Sequence, residues 1–112
     1  MSRGWIGVDL DGTLAEYHGF EGPGVVGKPV PLMLARVHDW LQRGKTVKIV
    51  TARVSHPEEA DVCRAAVEVW CEYYIGQKLE VVCCKDYQMV ELWDDRAVQV
   101  ESNTGRRVDG KD

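Results

Sequence analysis

Short apolar runs separated by polar, glycine-bearing stretches make up the chain, and the runs alternate between two periodicities. Trp5–Leu10 (WIGVDL) is apolar and rich in strand formers, which predicts a buried strand. From Ala15 to Pro31 the texture changes. Gly19, Gly22, Gly24 and Gly27 are mixed with Pro23, Pro29 and Pro31, the composition of a loop or small flap. Met33, Leu34, Val37, Trp40 and Leu41 then recur at helical spacing, and Gly44 supplies a stop. Thr46–Thr51 (TVKIVT) predicts a second strand.

The next helix is expected to begin at Ser55, where Ser55 and Glu58 form a capping-box pattern with Pro57 in the first turn. Val62, Ala65, Ala66, Val69, Trp70 and Tyr73 mark one apolar face, and Gly76 ends the element. Cys63, Val67 and Cys71 fall on a neighbouring face, so this helix is expected to be covered over much of its circumference. Leu79–Cys84 predicts a third strand, MVELWDD carries a fourth that ends in two acids, and Ala97–Val100 suggests a short fifth. Residues 1–101 then form one domain, with a flap at about 15–31 and a polar, frayed tail over 102–112. Strands alternating with helices point to an α/β fold with an open parallel sheet.

Composition narrows the class. At 112 residues and 45% hydrophobic, the chain suits one domain with a real core. A net charge of −4 argues against a broad basic surface for duplex nucleic acid, though not against a local basic pocket. No signal peptide or membrane-spanning run is seen, so a cytoplasmic protein is expected. The four cysteines, Cys63, Cys71, Cys83 and Cys84, contain no Cys-x-x-Cys and read as reduced apolar fillers. A zinc site with His38 or His56 lacks any recognised spacing. Trp5, Trp40, Trp70 and Trp93 are expected in the core.

The polar residues at the strand ends change the picture. Ligands of open parallel sheets collect beyond the carboxyl ends of the strands. Asp9 and Asp11 end the first strand, Thr51 the second, Lys85 follows the third, and Asp94 with Asp95 end the fourth. An Asx turn alone would account for Asp9, Asp11, Gly12 and Thr13, but not for the agreement of the other three strand ends. Several carboxylates together suit a hard cation, and Mg²⁺ commonly bridges such acids to a phosphate. A carboxylate about 4 Å from a phosphate dianion, at an effective dielectric of about 20, meets a repulsion of roughly 8 kcal/mol. Mg²⁺ and Lys85 have the sign to cancel it. The same cation explains why Asp9 and Asp11 tolerate one another.

DLDGTL, the strand-end Thr51, Lys85 and WDD, in that order, resemble the four motifs of the haloacid dehalogenase-like (HAD) superfamily over Ile6 to Val100. The resemblance implies a Rossmann-like, three-layer α/β/α fold and a Mg²⁺-dependent phosphatase working through an aspartyl-phosphate. It implies Asp9 as nucleophile, Asp11 as general acid and base, and Thr51 and Lys85 as phosphoryl contacts. The metal would be held by Asp9, the main-chain carbonyl of Asp11 and an acid of the last motif, with Asp95 favoured as ligand and Asp94 as the partner of Lys85. Gly12, Ala52 and Arg53 are candidate substrate-binding residues. Tyr17, His18 and Phe20 are candidates for the entrance, and Arg96 for a structural role. Neither inter-motif segment is long enough for the family's cap domain, so the site is expected to be open to a large or terminal phosphate or to an oligomeric neighbour. LWDDRAVQVE is also similar to the end of the phosphatase domain of phage polynucleotide kinases, which extends the expected substrates to nucleotides and nucleic-acid ends. The competing reading is a receiver-like or non-catalytic phosphate- or metal-binding domain. Receiver domains place their acid pair first, whereas here the Asp-x-Asp is first and the pair last.

Overall fold

Strands Trp5–Asp9 (β1), Thr46–Val50 (β2), Glu80–Val82 (β3) and Met89–Trp93 (β4) lie side by side in the order β3-β2-β1-β4, every pair parallel. Helix α1 (Pro31–Gln42) joins β1 to β2, and helix α2 (Ala60–Tyr74) joins β2 to β3. The structure, a computed structural model, describes residues 4–111. Residues 1–3 and 112, at the ends of the expected domain and tail, lie outside that range. None of the described helices is long and apolar enough to cross a membrane.

Alternation along the strands decides which side packs. Ile6, Val8, Val47, Ile49 and Val81 join Met33 and Val37 of α1 and Val67, Trp70 and Cys71 of α2 in a single buried cluster. Burying each such aliphatic side chain contributes about 1.5–3 kcal/mol. The alternate positions carry Lys48, which pairs with Glu80 at 3.5 Å and lies 4.6 Å from the centre of the Trp5 ring. A parallel α/β sheet with two helices is thus established. The connection from β3 to β4 is a loop, in which Asp86 accepts a hydrogen bond from Trp5 Nε1 at 2.8 Å.

The strand order positions the site. The chain steps outward from β1 to β2 to β3, then returns to the other side of β1 for β4. The crevice at such a reversal lies beyond the carboxyl end of the central strand. Register levels the ends there: Asp9 is opposite Val50, and Val8 is opposite Trp93. Residues that follow each strand therefore emerge on one edge.

Several expectations need correction. Helix α2 begins at Ala60 with Glu59 as its N-cap and no side-chain capping bond, because Ser55 donates instead to the Ala52 carbonyl at 2.6 Å. The capping box at Ser55 and Glu58 is therefore not formed. Its buried stripe is Cys63, Val67, Trp70 and Cys71, whereas Val62, Val69 and Tyr73 are 58%, 65% and 79% exposed. The apolar positions supply two stripes about 100° apart, and the sheet takes only one. Cys63 and Cys71 are buried fillers, but Cys83 and Cys84 are exposed because β3 ends at Val82. Trp5 and Trp70 are buried, while Trp40 and Trp93 are partly buried against the core with ring centres 5.2 Å apart. Ala97–Val100 adds no fifth strand to the sheet. Val100 bridges Arg107 and Glu101 N–H donates to Arg106 at 2.7 Å, so the tail expected to fray folds back as an irregular hairpin.

The contrast between the shared core and the outer face of α2 is testable by urea denaturation. Ile49→Ala in the shared core is expected to cost about 2–5 kcal/mol. Val69→Ser on the outer face is expected to stay within about 0.5 kcal/mol of the parent.

Candidate metal and phosphate site

At the end of β1 the backbone turns sharply: Leu14 and Ala15 N–H groups both donate to the Leu10 carbonyl, at 3.0 and 2.8 Å. Gly12 makes this turn with φ +89°, and a β-carbon there would sit 2.5 Å from Asp95 Oδ2. Glycine is needed both for the backbone angle and for the approach of the acid. Thr13 ties the two strand ends together. Its hydroxyl accepts from the Asp95 N–H at 2.9 Å and lies 3.1 Å from Asp95 Oδ1 and 3.3 Å from Asp9 Oδ2, the two carboxylates to which it can donate.

Asp9, Asp94 and Asp95 each bring a carboxylate oxygen within 4.8 Å of the others. Burial, then the Asp94 charge, then hydrogen bonding with Asp95 push the Asp9 carboxyl up from 3.8 to about 7, against the opposing Thr13 hydrogen bond. The donor set is all oxygen, and its repulsion is the kind that a bound divalent cation removes. These residues fit Mg²⁺.

The second acid of the turn faces elsewhere. Asp11 accepts from Arg53 Nε at 2.8 Å and from Nη2 at 2.9 Å, a two-pronged pair in which the Arg53 side chain is only 7% exposed. Hydrogen bonding to Asp11 holds the Arg53 guanidinium's proton more firmly than usual. Arg53 Nη1 also donates to the Gly22 carbonyl at 3.3 Å, and the guanidinium lies 5.3 Å from the centre of the Phe20 ring. Thr51 is buried, and its hydroxyl oxygen accepts from the Arg53 N–H at 3.2 Å, which leaves its own proton to donate.

A cleft of about 690 Å³ lies over these groups, lined by Asp9, Asp11, Thr51, Ala52, Arg53 and Asp95 among others. Tyr17 and Phe20 of the flap form part of its wall, as do Asp94 and Arg96, while His18 lines a separate hollow under the flap. Gly12 abuts Asp95 and lines a neighbouring hollow with Thr13 and Trp93 rather than this cleft. Lys85 is not among the lining residues. It is exposed and makes no ion pair with Asp94 among the described residues, since the loop has already turned back toward Trp5 at the next residue, Asp86. Asp94 instead accepts from the Arg96 N–H at 2.8 Å. The motifs in the sequence give Thr13 no role, although its position directly behind the Asp-x-Asp-Gly turn is the signal that it can reach both strand ends. Comparison with protein-family models, curated proteins and solved structures finds no match to this chain.

The raised Asp9 group has a stability consequence with a definite sign. The folded chain holds this proton up to about pH 7, whereas the unfolded carboxyl releases it near 3.8, so the folded state binds more protons in between. The contribution is fully present below the unfolded value and is lost as pH rises through the folded one. In chelator, the thermal midpoint of Asp9→Asn should therefore gain on that of the unaltered protein from about pH 4 to 7 and level off above. Thermal denaturation of both chains across that range measures the crossover.

Proposed function

We propose that the protein is a Mg²⁺-dependent phosphohydrolase that cleaves a phosphate monoester through an aspartyl-phosphate on Asp9. The observation that carries this reading is the gathering of Asp9, Asp11, Thr51, Asp94 and Asp95 in one cleft beyond the carboxyl ends of β1, β2 and β4. The motif order that resembles the HAD superfamily supports it. So does the strand order, with the nucleophile's strand central. On this reading the sheet is a reduced Rossmann-like, HAD-like fold in which the loop from Cys83 to Gln88 stands where a helix of the second outer layer would lie.

Asp9, Asp94 and Asp95 would hold the cation, together with the Asp11 carbonyl. A bound cation would supply positive charge that offsets the carboxylates and the phosphoryl oxygens and would favour the ionised form of Asp9. An Asp9 oxygen attacks phosphorus as the ester P–O bond breaks, and the Asp11 carboxyl gives its proton to the leaving oxygen. Water then attacks phosphorus, the bond to Asp9 breaks, and Asp11 takes the water's proton. Ester and water thus become alcohol and phosphate. The Thr51 hydroxyl and the Ala52 N–H hold the transferring oxygens, while the Arg53 and Val54 N–H groups donate to Thr51. Lys85 lies outside the lining of the cleft and takes no part in these steps.

Only the flap and α1 intervene between β1 and β2, and only the turn at Ala52 and α2 between β2 and β3, so no cap covers the cleft. An open cleft of this volume accommodates a nucleotide or the phosphorylated end of a nucleic acid, and a second copy of the chain is the other source of missing walls.

The purified protein is expected to hydrolyse an activated aryl phosphate with Mg²⁺ and not in chelator, with Ca²⁺ a poor replacement because its looser coordination misplaces the attacking oxygen. Asp9→Asn should abolish turnover. Asp11→Asn should slow it by about 10²- to 10⁴-fold on an ester with a poor leaving group. Activity that survives chelation or Asp9→Asn contradicts the reading.

A further inference from the structure

The flap is anchored in two different ways. Its neck is fixed to the body by backbone: the Glu16 N–H donates to Lys28 at 2.8 Å and the Val30 N–H to Leu14 at 2.7 Å. Trp70 Nε1 of α2 adds a bond to the Gly27 carbonyl at 2.8 Å. A β-carbon at Gly27 would collide with the Glu16 carbonyl, so this neck closes tightly only around glycine. The tip, residues 17–25, is different. Among the described residues its polar ties to the body run through Arg53 alone, by way of the Gly22 carbonyl, with the Phe20 ring stacked beside the guanidinium.

The same guanidinium grips both oxygens of Asp11. Its Nε/Nη2 edge, the edge that matches two oxygens at once, is fully used by that carboxylate. The Nη1 corner is used by the flap. A group committed on both sides and 7% exposed is poorly placed to clamp an incoming phosphate, the role the sequence suggested for it.

We propose that Arg53 is a positioning residue that couples the flap to Asp11: flap tip, guanidinium and carboxylate move as one unit. Fixing the flap tip fixes the orientation of Asp11, and removing Asp11 frees the tip, although among the described residues the two share no polar contact except through Arg53. The flap is then the wall that sets how Asp11 meets the leaving oxygen. The catalytic consequence rests on the phosphohydrolase reading above; the coupling itself does not.

Backbone ¹⁵N relaxation on the full chain tests the coupling without reference to activity. In the unaltered protein, residues 17–25 should show order parameters near the rigid value of about 0.85. Both Arg53→Ala and Asp11→Asn should lower them toward the flexible range, below about 0.6, while β1 and α2 stay rigid. The double variant should go no further than either single one. On an aryl phosphate, Arg53→Ala should lower kcat by about 10²-fold with KM little changed. Arg53→Lys should restore only part of the loss, because an ammonium cannot grip two carboxylate oxygens as a fork. A tip that stays rigid in Asp11→Asn overturns the coupling. A raised KM with intact kcat in Arg53→Ala overturns the positioning role and makes Arg53 a phosphate ligand. If the unaltered protein hydrolyses no phosphate ester, the functional reading fails while the relaxation result still decides the coupling.

Discussion

Mutual repulsion of Asp9, Asp94 and Asp95 is the constraint around which this protein is arranged. Three carboxylate oxygens within 4.8 Å of one another, two of them on half-buried residues, are not a favourable feature of a folded chain. The fold spends several specific features on keeping them there. Gly12 gives up its side chain to let Asp95 in, Thr13 bridges the two strand ends, and the strand order places β4 directly beside β1. Without a cation the cluster relieves itself by keeping a proton on Asp9. Such a cluster resists folding slightly, and a perturbed acid gathered with others in a cleft marks a candidate functional centre.

Asp11, two residues on, has the opposite electrostatic setting. The chain turns between the two acids, so one faces carboxylates and the other faces Arg53. Asp9 and Asp11 therefore face different partners, although they share a turn. The flap is tied to Asp11 through Arg53, and its Tyr17 and Phe20 line the same cleft as the carboxylate cluster.

Much of this was legible in the sequence because it depends on local chemistry. The strand runs, Gly44 and Gly76 as stops, and the acids at the strand ends all rest on short-range rules. The parts that were not legible depend on long-range choices. Val62, Val69 and Tyr73 are as apolar as the stripe that α2 buries, and only the sheet's position selects between them. Ser55 had the right spacing for a cap but a closer acceptor in the Ala52 carbonyl. The Thr13 bridge and the Arg53–Asp11 pair span 82 and 42 residues, and no periodicity reports contacts of that separation. Lys85 was placed by its order in the sequence, which could not show that the loop after β3 turns away so soon.

A Mg²⁺ titration followed by amide chemical shifts decides whether Asp9, Asp94 and Asp95 form one divalent-cation site. A single shared site gives saturable shifts centred on Gly12, Thr13 and Asp95, and their loss in Asp95→Asn. Shifts that never saturate, or that persist unchanged in Asp95→Asn, would contradict it.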